Sequence, residues 1–100
     1  MLLQKFISAM RSKNKIRLTF YSKKDQKELT RVCAPMDYGQ SRVYKDGKDR
    51  YFLWDYDSDA GAHTLSILSE QVIDIQLLEE CFEPSEFVTW TPDWIVSRDW

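Results

Sequence analysis

A mainly β (α+β) domain is predicted: a five-stranded antiparallel sheet that curls into a small barrel, with an N-terminal amphipathic helix and a Trp-rich C-terminal tail containing a short helix. Three observations predict it. Tyr51 to Tyr56 packs four aromatics and a leucine into six positions, as a strand apolar on both faces does. Ile16 to Tyr21 alternates apolar and polar, as a strand with one buried face does. Strand-like runs are joined by short polar turns, and such antiparallel sheets tend to close on themselves.

Each element follows in order. Leu2, Leu3, Phe6, Ile7 and Met10 recur at spacings of three and four, which predicts a helix of about three turns ending near Ser12-Lys13-Asn14. Residues 16–21 and 28–34 read as a hairpin across the polar turn 22–27, with Pro35 ending its second strand. Residues 36–49 read as a long loop with a tight turn at Asp46-Gly47, and loops of that length are often functional. The aromatic strand spans 50–57, with Phe52, Trp54 and Tyr56 on one face and Tyr51 and Leu53 on the other. Apolar on both faces, it should be central in the sheet. A turn at 58–62, a strand 63–68, a one-turn corner 69–71 and a strand 72–78 complete the set.

In the tail, Thr91 followed by Pro92 is a helix-start signal, and Trp90, Trp94 and Trp100 lie in the last eleven residues. So much tryptophan either packs on the chain's own barrel or anchors a partner. Residues 1–84 are accordingly read as the barrel domain with its helix, and 85–100 as an extension packing on it.

The totals narrow the function. One hundred residues make one domain, and 43% hydrophobic residues exclude a disordered chain. No apolar run is long enough to span a membrane, and no secretion signal is visible, so a cytoplasmic, non-membrane protein is expected. Cys33 and Cys81 read as free buried thiols. One histidine and no CxxC spacing argue against a metal site, and no cofactor is expected. Asp55, Asp57 and Asp59 alternate at a turn but lack a calcium loop's glutamate, so they read as a solvated strand end. No nucleophile–base–orienter set is visible around His63, which reads as a surface residue, and catalysis is not expected. Residues 1–50 hold 13 Lys and Arg against 5 Asp and Glu, while residues 51–100 hold 1 against 11. Either the halves attract one another across the fold, or a basic face and an acidic face await partners, including a second copy.

The ordered set of strands resembles the WYL domain, a small Sm-like or SH3-like β-barrel of bacterial regulators. Ile16 to Tyr21 is similar to that family's first strand. Arg31-Val32-Cys33-Ala34-Pro35 is similar to its R-x-V-x-P strand end. Tyr51-Phe52-Leu53-Trp54-Asp55-Tyr56-Asp57 looks like its W-Y-L signature, and Phe82-Glu83-Pro84 like its close. The likeness covers about residues 3–84. It implies an Sm/SH3-like barrel with a regulatory, ligand-sensing role in transcription, taking nucleotide-like or nucleic-acid ligands. Two departures matter: the family's arginine-rich strand here reads Leu-Ser-Ile-Leu-Ser-Glu-Gln-Val over 65–72 without arginine, and no helix-turn-helix reading head is seen in this chain.

The candidate ligand site is a basic-aromatic group of Arg31, Tyr38, Arg42, Tyr44, Arg50 and Tyr56. Arginine with tyrosine suits phosphates and stacked bases. The competing reading pairs these arginines with the acids of the second half. Nucleotide or single-stranded nucleic acid is thus the expected ligand. The alternative is an SH3-like protein-interaction or self-assembly module, with a protein partner or homodimer held by Trp90, Trp94 and Trp100.

Overall fold

The computed structural model describes residues 2–57, 61 and 63–100. Its elements are α1 (Leu2–Ser12), β1 (Asn14–Ser22), β2 (Lys27–Gln40), β3 (Asp49–Asp55), β4 (His63–Leu68) and β5 (Val72–Cys81), with 3-10 turns at Ser69–Gln71 and Pro84–Glu86. The strands form one antiparallel sheet in the order β4-β3-β2-β1-β5. The mainly β class, the five antiparallel strands and the N-terminal helix are as the sequence leads one to expect. The expected turn at 58–62, with Asp59, lies largely outside the described residues.

The helix buries Phe6, Ala9 and Met10 and stops at Lys13, whose φ of 59° leaves the helical region. Along β1, Ile16, Leu18 and Phe20 are buried while Arg17 and Tyr21 are exposed, so the alternation sets the face. The principal core joins these side chains to Phe6, Met10, Cys33, Tyr51, Leu53, Ile67 and Ile75.

Pro35 does not end β2, and residues 36–40 are strand rather than loop. The ladder between β1 and β2 stops at Ile16 opposite Cys33. Beyond that point no neighbour asks for the amide that Pro35 lacks, while its other edge pairs with β3. A register shift between Pro35 and Asp37 marks a bulge there. Thus β2 serves β1 with its first half and β3 with its second, and it is β2 that lies at the centre of the sheet. The aromatic strand β3 stands one place from the edge. It is nevertheless covered on both faces: Tyr51 and Leu53 enter the principal core, and Phe52, Trp54 and Tyr56 pack against a second cluster built on Ala34, Met36, Phe82 and Phe87.

β4 and β5 lie at opposite edges, yet only Ser69–Gln71 joins them. Five flat strands would set the edges about 19 Å apart. The link from Leu68 to Val72 reaches at most about 15 Å. The sheet is therefore curled. Among the described residues no ladder joins β4 to β5, so the expected barrel is not closed.

The tail docks on the chain's own fold. Trp54 stacks on Phe87 at 5.6 Å, and the Trp100 indole donates to the Met10 carbonyl (2.9 Å). Its anchor is the buried Asp37 carboxylate, which accepts the amides of Ile95 (2.8 Å) and Val96 (2.9 Å) and the Arg98 guanidinium (3.2 Å). Arg98 also donates to the Met36 carbonyl and lies between Trp94 (4.3 Å) and Trp100 (4.6 Å). Burial pulls its pKa down to about 10 against the opposing pull of Asp37, so it stays charged at neutral pH. No helix starts at Thr91-Pro92: the amides that helix would use go to Asp37 instead. Among the described residues, the helical turn that follows β5 is the 3-10 turn Pro84–Glu86. Both cysteines are free, but only Cys33 is buried, and Cys81 at the end of β5 is exposed.

Removing Asp37 would leave a buried guanidinium without its counter-charge and the amides of Tyr38, Ile95 and Val96 without that acceptor. Asp37→Ala should cost about 3–5 kcal/mol, read as a fall in denaturation midpoint at unchanged m, with red-shifted tryptophan emission. Gly39 has φ 147°, and a Cβ there would meet Ile95 Cδ1 at 2.9 Å. Gly39→Ala should destabilise by more than about 1 kcal/mol. Adding Ile95→Ala should recover only the steric part, because the backbone strain persists; full recovery in the double-mutant cycle would contradict that account.

Candidate ligand cleft

The six basic and aromatic candidates do not converge on one place. Arg31, on β2, directs Nε to Asp55 Oδ2 (3.7 Å) and donates through Nη1 to the Asp57 carbonyl (3.1 Å). Arg50 forks onto Asp46 with two 3.0 Å hydrogen bonds, its guanidinium 4.6 Å from the Tyr44 ring centre. Tyr38 packs edge-on to Tyr51, its hydroxyl near Asp49 (3.4 Å) and Ser69 (3.3 Å). Arg42 bonds the Asp93 carbonyl (2.9 Å). Tyr56 lies on the far side beneath Lys15 Nζ (4.4 Å). Its hydroxyl has no hydrogen-bond partner among the described residues. Burial, then Glu86, Glu80 and Cys33, push its pKa up to about 12.

Each of the six arginines donates to an acceptor of the chain itself. Four of the six ion pairs among the described residues join a cation of the first half to an acid of the second. The uneven charge is thus in good part internal attraction. Asp55 belongs to it and is buried rather than solvated, whereas Asp57 is exposed, with its Oδ2 accepting the Val32 amide (2.8 Å). No group of acids, histidines and cysteines suited to a metal occurs among the described residues.

Two of the candidates do share a cleft. Arg31 and Tyr44 line an open cavity of about 760 Å³ between the β1–β2 turn and β4. Its rim adds Lys23, Lys24 and His63, and its floor is apolar, with Phe20, Leu29, Leu65 and Ile67. Asp55 is held by Arg31, and Asp25 Oδ2 accepts a hydrogen bond from the Ser22 hydroxyl (3.1 Å). Lys23 and Lys24 have no ion-pair partner among the described residues. His63 Nδ1 lies 3.0 Å from the Gly61 carbonyl, which makes Nδ1 the donor and leaves Nε2 available. The cleft therefore offers cationic points over an apolar floor with one tyrosine ring, which suits an anion attached to a planar group.

Arg42 instead meets Trp90 and Trp94 in a second cleft of about 250 Å³. Tyr38 lines a third, beside Lys48 and Ser69. Of the three tail tryptophans offered as partner anchors, Trp100 is spent inside the fold, Trp94 is a wall of the second cleft, and Trp90 is 50% exposed. Residue-type reasoning missed Lys23, Lys24 and His63. The adjacent lysines in a polar turn were the available signal, but nothing local brings that turn against β4.

The fork from Arg50 holds Asp46 down at about 2, below its ordinary 3.8. A carboxylate so depressed contributes stability above its unfolded value and loses it as pH falls through about 2. In a carbon-13 titration the Asp46 carboxyl should titrate near 2, and Arg50→Gln should return it toward 3.8.

No family model matches the chain, and no curated protein or solved structure matches it.

Proposed function

We propose that the protein is a non-catalytic, ligand-sensing module of WYL type, an Sm/SH3-like barrel left open at one side, which binds a nucleotide or short single-stranded oligonucleotide in the cleft between the β1–β2 turn and β4. The observation that carries this reading is the meeting there of Lys23, Lys24, Arg31, Tyr44 and His63 over an apolar floor. Lys23 and Lys24 neutralise phosphate, Tyr44 stacks on a base, and Arg31, positioned by Asp55, closes the inner wall. The curl enforced by the three-residue link between β4 and β5 supports the barrel type. The absence of arginine from 65–72 shifts anion binding to the lysines of the turn. No helix among the described residues is long and apolar enough to cross a membrane, and a cytoplasmic regulatory role is part of the proposal.

One observation favours a second reading, a self-assembly module. β5 has one unpaired edge among the described residues and exposes Ile73 and Leu77. In that case sedimentation would show association that Leu77→Lys abolishes.

The ligand reading is tested by fluorescence anisotropy with a labelled single-stranded oligonucleotide at about 50 and 200 mM salt. Saturable binding that weakens with salt is expected. Lys23→Ala with Lys24→Ala, both on an exposed turn, should lower the slope of log K against log salt by about 1.4. Absence of binding at the lower salt, or a slope the double substitution leaves alone, would refute the reading.

A further inference from the structure

The second cleft shares no lining residue with the first and carries a separate chemistry. Phe52, Trp90 and Trp94 supply three aromatic walls, and Arg42 with Ser41 stands at the rim. Trp94 is a rigid wall, because its indole donates to the Trp100 carbonyl (3.1 Å) and Arg98 covers one face. Trp90 stands edge-on to it at 6.3 Å and is half exposed. A space of about 250 Å³ holds one ring and a short polar group, since drug-sized ligands need about 300 Å³ or more.

The spare hydrogen-bonding capacity decides the ligand's charge. Arg42 uses Nη2 on Asp93, so its Nε and Nη1 have no acceptor among the described residues. The Ser41 hydroxyl already accepts the amides of Val43 (3.1 Å) and Tyr44 (3.0 Å) and keeps its proton to donate. The acids offer little to a cation. Asp37 is saturated by the tail, and Asp93 is 88% exposed and turned to Arg42. We propose that this cleft binds a small carboxylate carrying one planar aromatic group, its ring against Trp90 and Trp94 and its carboxylate on Arg42 and Ser41.

The test titrates the nitrogen-15-labelled protein with phenylacetate and, separately, with uncharged phenylacetamide, following the four indole N–H signals. Phenylacetate should shift the signals of Trp90 and Trp94 saturably and leave that of Trp54, which stacks on Phe87 outside the cleft. The amide should bind at least about tenfold more weakly, as loss of a charge-assisted hydrogen bond implies. Arg42→Gln, at an exposed position, should abolish the difference while the remaining spectrum stays folded. No saturable shift at Trp90 at millimolar ligand overturns the proposal. So does an equal response to acid and amide, or a response centred on Trp54.

Discussion

The Asp37 carboxylate is the interaction on which the second half of this architecture depends. It sits just past the bulge in β2, where the strand has left β1 and still pairs with β3. Four donors converge on it: the amides of Tyr38, Ile95 and Val96 and the guanidinium of Arg98. So many partners offset the cost of burying the carboxylate, whereas the same group half satisfied would be expensive. Because it holds residues 95–98, Trp100 is brought against Phe82 and Phe87 with Trp94 packed on it, and the outer face of β3 is covered. Both the second core cluster and the cleft around Trp90 follow from that contact.

The curl of the sheet is the second constraint. A three-residue link between strands at opposite edges forces those edges toward each other without pairing them. On the curled sheet the β1–β2 turn, β4 and the end of β1 enclose a space. Apolar side chains that would fill a closed interior form its floor, and the lysines of the turn form its rim. The cleft is therefore a consequence of topology, and its charge comes from a turn that contributes little to the core.

Much of the local structure was legible. The helix was readable from its apolar stripe, β1 from its alternation and β3 from its aromatic density, because burial on one or two faces imposes a period on residue types. The internal pairing of arginines with acids was readable as one of two outcomes of the uneven charge. The course of β2 was not, because a proline ends a strand only where a neighbour needs its amide, and whether β1 extends that far is a property of the assembled sheet. The tail helix failed for a related reason. Thr91-Pro92 is a sound start signal, but the amides that would begin the helix found a carboxylate 58 positions away in sequence.

Residue order alone set the class, the faces of the helix and strands, and the absence of arginine from 65–72, since these depend on composition and periodicity along a few neighbouring residues. Which of Arg31, Tyr38, Arg42, Tyr44, Arg50 and Tyr56 stand together was settled by folding. Arg31 and Tyr44 line one cleft, Arg42 joins the tail, and Tyr56 packs in the second core cluster beneath Lys15. The physical reason is that a site is made by side chains far apart in sequence, and their juxtaposition depends on register, curl and the docking of a tail through one buried charge. No local period encodes any of these.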